Sequence, residues 1–493
     1  LFNHVMDMGS EEMQDFSIPS LITRTTNDIT QIQMIVSMGL QMIIKSPIMA
    51  VWAVIKILGK SWELSAVTAA FVVVICVFVL AVMATCIPRF RIVQKLTDKI
   101  NRVARENLTG INVVHAFNAE KYQNDKFDVP SKEMMNTQLK NQRMFALMMP
   151  VMNIGMNGLT LAIYWLGAVL IQQIALTAVQ DRITLFSNVV VFSTYATYVV
   201  MSFMMLVMIF MMLPAAQVSA ERINEVLERD VNIKEGSVSE GNEQGTVEFK
   251  NVSFRYPHAS EDELSNISFK INKGQTLAII GATGSGKTTL ISLIPRFYDV
   301  RQGEVLVDGV DVKEYPFSQL RGMIGIVPQK AVLFKGTIRH NMQWRDKNAT
   351  DEDIWNALDI AQAKDFVEKK PDKLDEMILQ EGKNLSGGQR QRLTIARALV
   401  GDPEILILDD SASALDLATD ARLRKAIHEK TSGMTVFIVS QRISSIKSAD
   451  KIIVLDDGKI AGIGTHSELY NGCEVYKEIC LSQLSEKEAQ ANG

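Results

Sequence analysis

The chain has 493 residues, 47% of them hydrophobic, and a net charge of −4 at neutral pH. At about 150 residues per compact unit there is room for three or four units, and with no polybasic block nucleic-acid binding has no electrostatic support. The four cysteines, Cys76, Cys86, Cys473 and Cys480, show no C-x-x-C spacing, which argues against a zinc site or a disulfide framework and suits a reducing cytosol.

Residues 1 to about 215 carry long apolar runs, whereas 216–493 read as a soluble α/β protein. The chain opens at Leu1 with neither Met nor a charged-then-apolar signal segment, so a fragment with its start missing is expected. Four segments meet the need for about 20 apolar helical residues to cross a bilayer; they lie near 38–58, 64–87, 146–171 and 186–213. Lys45 and Lys56 sit near the ends of the first, where long side chains reach the headgroups. The 59–63 connection offers only Lys60 and the 172–185 loop only Arg182, while 88–145 carries eleven Lys and Arg residues. The basic segment is therefore expected in the cytosol, and the fourth span exits there.

Residues 88–145 are rich in helix formers, with Pro88 and Pro130 as the breakers, so the spans are expected to continue into the cytosol as helices. Two stretches read as turn-rich breaks, 20–28 and 108–120, each an ordinary helix–helix turn or a knob docking on the soluble half. Methionine gathers in the last two spans, at Met144, Met148, Met149, Met152 and Met156, then Met201, Met204, Met205, Met208, Met211 and Met212. With Asn153, Asn157, Phe203 and Phe210 these flexible, polarisable side chains suit a cavity for apolar cargo. Helix and lipid packing is the other reading, since they point in several directions around the helix.

A helix end and polar linker cover 216–245, and Val247 to Tyr256 alternates as a strand. The apolar run Thr276–Ile280 is followed by Gly281-Ala-Thr-Gly-Ser-Gly-Lys-Thr288 and then by helical spacing from Thr288 to Phe297. Strand, glycine-rich turn, helix is the setting of the G-x-x-x-x-G-K-[ST] phosphate loop. Gly281, Thr283, Gly284, Ser285, Gly286 and Thr289 belong to this cradle, Lys287 reaches terminal phosphates, and the Thr288 hydroxyl reaches Mg²⁺. Ile405-Leu-Ile-Leu-Asp-Asp410 is a buried strand delivering Asp409 as a second Mg²⁺ contact. Between them, Ser386 in Leu385-Ser-Gly-Gly-Gln389 caps a helix whose N-terminus is a second phosphate-binding end.

These motifs, in this order, resemble the ATP-binding-cassette (ABC) exporters over essentially the whole chain. The resemblance implies an α-helical transmembrane domain of exporter type, N-terminally truncated, followed by an α/β P-loop NTPase. Its boundaries fall at 1–215, a 216–245 linker, 246–485 for the nucleotide-binding domain, and a 486–493 tail. It implies ATP and Mg²⁺ as cofactors. Tyr256 looks like the aromatic that stacks on adenine, and Gln329 in Val-Pro-Gln-Lys like the Mg²⁺-contacting glutamine. Ser386, Gly387, Gly388 and Gln389 form the signature, Ser413-Ala-Leu-Asp416 the D-loop, and 20–28 and 108–120 resemble coupling helices. Exporters of this kind have six spans per half, so the first and part of the second are expected to be missing.

Two positions depart from the family pattern. Asp410 stands where a glutamate polarises the attacking water, and Gln441 stands where a switch histidine is expected. A carboxylate one methylene shorter sits about 1.5 Å further back, and misplacement near 1 Å can cost about 100-fold. Glutamine can donate to a γ-phosphate but cannot become cationic or relay a proton. The resemblance is therefore closest to heterodimeric exporters with one degenerate site. It implies a multi-pass protein of a bacterial cytoplasmic membrane, a non-identical half-transporter as partner, and hydrophobic small-molecule cargo of multidrug type. A slow homodimeric exporter of lipid or peptide and an ATP-gated channel or sensor are the alternatives.

Overall fold

The computed structural model describes residues 1–58, 61–238, 241–411, 414–431 and 433–483. Lys60, Ser413, two linker residues (239 and 240) and the 486–493 tail lie outside the described residues, as do the side chains of Phe210 and Met211. The chain forms two compact units, one of Leu21–Glu225 and one joining Leu1–Ser20 to Val226–Gly493.

The first unit is helical. A composite helix over Ile18–Ile57 is followed by Trp62–Thr109, Glu120–Gln172 and Val179–Leu227. All four helices are long and apolar enough to cross a membrane, and each overlaps one of the four expected spans. Their shared core holds Ile75, Val79, Met152, Leu159, Ile163, Phe192 and Val199. Small residues set the approach of the helices: a Cβ on Gly167 would lie 2.6 Å from Val189, and the buried Ser46 hydroxyl donates to the Ser202 carbonyl at 2.6 Å. Of the methionines, Met152 belongs to this core and Met148, Met156 and Met204 pack against it, while Met149, Met201 and Met208 are exposed.

The turn expected at 108–120 is present: Thr109 ends a helix, Ile111–Ala116 is a single short one, and the next begins at Glu120. Residues 20–28 are instead helical throughout, with a π-helical segment over Arg24–Asp28. The hydroxyls that suggested a turn are absorbed inside the helix. Thr25 donates to the Leu21 carbonyl at 2.9 Å, Thr26 to Ile22 at 2.7 Å and Thr30 to Thr26 at 3.0 Å. Pro88 and Pro130 likewise lie within long helices and break neither.

The second unit divides from the first at Ser20 and Glu225 rather than at 215, because the N-terminal segment packs on the nucleotide half. Short helices over Phe2–Asp7 and Ser10–Gln14 carry its contacts. His4 Nε2 donates to the Arg229 carbonyl at 3.0 Å, the buried Glu12 accepts from the Asn232 N–H at 2.9 Å, and the Gln14 amide donates to the Tyr298 hydroxyl at 3.1 Å.

Two large sheets and a short antiparallel pair, β7 (Gly336–Thr337) with β8 (Met377–Ile378), build the strand framework of the rest. An antiparallel sheet has the order β2-β1-β4-β5, from Leu264–Ile271, Val247–Phe254, Gln302–Val307 and Val310–Asp311. A six-stranded sheet runs β12-β11-β3-β10-β9-β6, from Lys459–Gly464, Lys451–Asp456, Thr276–Ile280, Thr435–Val439, Ile405–Asp409 and Ile324–Val327. All but the edge strand β12 are parallel. The central strands are apolar on both faces, as burial between two layers requires. Ile405, Ile407 and Phe437 pack with the antiparallel sheet, whereas Leu406, Leu408 and Val436 pack with the helices of 338–400.

Candidate nucleotide-binding site

The register of the parallel strands decides which loops meet. Val439 pairs with Ile279 on one side and with Asp409 on the other, and Val327 pairs with Leu408. The C-terminal ends of β3, β10, β9 and β6 therefore carry the phosphate loop, Gln441, Asp409 with Asp410, and Gln329 to one edge, where open α/β sheets bind ligands. One cleft there is lined by Thr283, Gly284, Gly286, Lys287, Thr288, Thr289, Gln329, Asp409, Asp410 and Gln441, together with Glu263, Val439 and Ser440.

The phosphate loop needs its glycines. Gly284 and Gly286 have φ of +84° and +90°, a left-handed backbone that favours glycine. A Cβ on Gly281 would fall 2.1 Å from the Leu455 carbonyl oxygen, whereas one on Gly284 would meet nothing within 4 Å. The loop thus curls around open space on one side and packs without clearance on the other.

Lys287 Nζ donates to the Gly281 and Ala282 carbonyls at 2.9 and 2.6 Å and to the Ser285 hydroxyl at 3.4 Å. Burial pushes its ammonium below the usual lysine range, against the pull of Asp409 and Asp410. The Thr288 hydroxyl donates to Asp409 at 3.1 and 3.2 Å from its two carboxylate oxygens. Burial raises Asp409, opposed by that bond and by Lys287. Asp410 is raised by burial too, with Arg442 and Lys287 pulling the other way. Its φ is +44°, a conformation Asp adopts more readily than most side chains.

The residues fit a Mg²⁺-bound triphosphate. Thr288 and Asp409 offer hard oxygen ligands beside Lys287, but no cluster of three or more His, Cys, Asp or Glu is arranged to hold a metal among the described residues. A cation here would complete its shell with phosphate oxygens, which is the usual habit of Mg²⁺.

The remaining predicted residues lie outside this cleft's lining. The Tyr256 hydroxyl is 2.9 Å from the Thr289 hydroxyl, and its ring stands edge-on to Phe254 and Tyr298, at 4.9 and 5.3 Å. Ser386 and Gln389 form a reciprocal capping box at the start of the Gly387–Leu399 helix, at 3.3 and 3.0 Å. Ser386 and Gly387 are exposed, and a Cβ on Gly388 would touch the Ala414 carbonyl at 3.3 Å, so the signature abuts the D-loop. Asp416 caps the following helix, accepting from the Thr419 N–H at 2.9 Å. Glu263, just before β2, lines the cleft without any motif to announce it.

Comparisons with known proteins agree with this architecture. The ABC transporter family model matches residues 264–413, and the ABC transporter transmembrane region matches residues 1–203. An uncharacterized ABC transporter ATP-binding protein of Mycobacterium tuberculosis is 38% identical over 98% of this chain and 82% of its own length. An ATP-dependent lipid A-core flippase of Vibrio vulnificus is 31% identical over 99% of this chain and 82% of its own. Among solved structures, a bacterial Atm1-family ABC exporter with ATP bound superposes with a TM-score of 0.76 at 26% identity, covering 98% of this chain and 84% of that one.

Proposed function

Given that this chain belongs to the ABC transporters, as an exporter half-transporter coupling ATP hydrolysis to transport, we propose that it moves an amphipathic or apolar compound outward across a bacterial cytoplasmic membrane, paired with a non-identical half-transporter. In this reading its own pocket binds ATP and hydrolyses it poorly. The observation that carries the proposal is the meeting of Asp410 and Gln441 in one cleft with Lys287, Thr288 and Asp409. Both departures from the family pattern concern the group that would activate water, while the groups that hold phosphate and metal are retained.

Lys287 neutralises phosphate charge, Thr288, Asp409 and Gln329 hold Mg²⁺, and Tyr256 stacks on the adenine. Asp410 orients water from a retracted position. Gln441 donates to the terminal phosphate without shuttling a proton. The Ser386–Gln389 helix start, exposed at Ser386 and Gly387, and Asp416 serve the partner's nucleotide, since the signature lies outside the lining of this chain's own cleft. Closure of the nucleotide domains then drives alternating access. The exposed Met149, Met201 and Met208 support apolar cargo, as does the flippase name carried by relatives such as that of Vibrio vulnificus.

The test is ATP hydrolysis by the purified full chain, alone and with Asp410→Glu and Gln441→His combined. A nearly silent native chain whose double variant gains activity supports a degenerate site, and a second half-transporter should then co-purify from the native host. Brisk native hydrolysis would mean that Asp410 suffices, and a homodimeric exporter becomes the better description.

A further inference from the structure

The C-terminal helix Glu474–Gln483 shows one face to the nucleotide domain. Tyr476 and Cys480, four residues apart, are both fully buried, and Gln483 follows three residues later on the same side. Tyr476 is anchored further by its hydroxyl, 2.8 Å from His466 Nδ1. The two buried side chains pack with Ala278 and Ile280 of β3, with Ile443 and Ile446, and with Ile452 and Val454. The helix is thus seated against β11, the parallel neighbour of the strand that leads into the phosphate loop, and against the Ile443–Ile446 helix.

Gln483 reaches from this seat to the loop that carries Gln441. Its Nε2 donates to the Gln441 carbonyl at 2.7 Å, and its Oε1 accepts from the Ile443 N–H at 3.0 Å. One carboxamide therefore spans the peptide groups on both sides of Arg442. The orientation is dictated, because exchanging oxygen and nitrogen would set acceptor against acceptor and donor against donor. Ile443 opens the short helix Ile443–Ile446, so Gln483 also satisfies an N–H with no partner inside that helix. The same loop is held from β3 by the Ser440 N–H on the Ile279 carbonyl at 3.2 Å, and the Arg442 N–H donates to the Ser440 hydroxyl at 3.0 Å.

We infer that Gln483 is a positioning residue for nucleotide recognition: it fixes the backbone of 441–443 so that the Gln441 side chain is presented to the terminal phosphate. The inference rests on the proposed role of Gln441 and adds to it a residue from the far end of the chain. A group that senses the terminal phosphate matters for ATP and not for ADP. Releasing its loop should therefore change the preference between the two nucleotides rather than nucleotide binding as a whole.

The experiment compares the full chain with Gln483→Ala, and with Ser482→Ala as a control, since the Ser482 hydroxyl bonds within its own helix, to the Ile479 carbonyl at 2.7 Å. Amide hydrogen exchange over 440–446, read without nucleotide, should rise about tenfold in Gln483→Ala, and ATP affinity should fall about three- to tenfold while ADP affinity holds. Gln483→Glu keeps the acceptor and loses the donor, so it should fall between. Unchanged exchange would overturn the clamp; raised exchange with an unchanged ATP-to-ADP ratio would overturn the positioning role. Because the exchange arm needs no nucleotide, it separates failure of this inference from failure of the ATP-site reading, which would show as a native chain that binds neither nucleotide.

Discussion

Asp410 donates its backbone N–H to the carbonyl of Val439 at 3.0 Å, two residues before Gln441. The two positions that depart from the family pattern are therefore tied through one backbone bond. Shifting either loop moves the other, so their substitutions should not add. Asp410→Glu and Gln441→His combined are expected to raise hydrolysis at least about threefold beyond the product of the single effects, read as a double-mutant cycle on kcat. Strictly multiplicative singles would show that the two act independently. The left-handed backbone at Asp410 suits a glutamate less well, so Asp410→Glu alone should lower Tm by about 1–3 °C.

The neighbouring carboxylate carries a second expectation. Burial holds Asp409 above the usual aspartate range, so its ionisation is opposed by the fold. The stability linked to such a group is fully present below its unfolded pKa and is lost as pH rises through the raised folded value. At neutral pH, without nucleotide, the charged Asp409 thus destabilises the protein. Asp409→Asn keeps an acceptor for the Thr288 hydroxyl and removes the charge, and should raise Tm at pH 7 by about 1–3 °C, with the gain shrinking towards pH 4. The same change should abolish the gain in ATP affinity that Mg²⁺ confers. A lower Tm at pH 7 would mean that attraction to Lys287 outweighs desolvation.

Much of this site was legible before any coordinates. Lys287, Thr288, Asp409, Gln329 and Gln441 each follow an apolar run, and such runs in parallel sheets deliver their C-terminal ends to one edge. The strand order that makes Val439 the neighbour of both Ile279 and Asp409 is a tertiary fact with no local signature. Glu263 and Gln483 were invisible for the same reason. The 4-plus-3 spacing of Tyr476, Cys480 and Gln483 marks a helix face but not the wall it meets. Residues 20–28 misled in the opposite way, because threonine hydroxyls that usually favour turns were taken up by carbonyls one turn back.

Tyr256 offers a test of the adenine contact. Its hydroxyl meets Thr289 and its ring joins Phe254 and Tyr298, so the ring and the hydroxyl can be separated by mutation. Tyr256→Phe should change ATP affinity by less than about threefold, whereas Tyr256→Ala should weaken it about tenfold or more, as expected for a lost stacking surface. Equal losses in the two variants, measured by titration calorimetry, would assign the effect to the Thr289 bond instead.

The last expectation concerns the helical unit, where Arg24 and Asp28 face the Val179–Leu227 helix. Arg24 donates to the Arg222 carbonyl and pairs with Glu225 at 2.7 Å, while Asp28 accepts from the Ser219 hydroxyl at 3.0 Å and pairs with Arg222 at 3.4 Å. Exposure within each pair decides what its loss costs. The Arg24 side chain is 9% exposed and that of Glu225 61%, so water screens the ion pair at its Glu225 end and Arg24 keeps the carbonyl when Glu225 is lost, whereas losing Arg24 strips the Arg222 carbonyl of its donor. Arg24→Ala is therefore expected to cost about 1–3 kcal/mol of unfolding free energy and Glu225→Ala less than about 1 kcal/mol. Asp28→Ala should fall nearer the first, because it leaves Arg222 and Ser219 without their buried acceptor. Denaturation of the full chain gives the ranking, and a Glu225→Ala cost equal to that of Arg24→Ala would place the energy in the ion pair rather than in the buried bond to the Arg222 carbonyl.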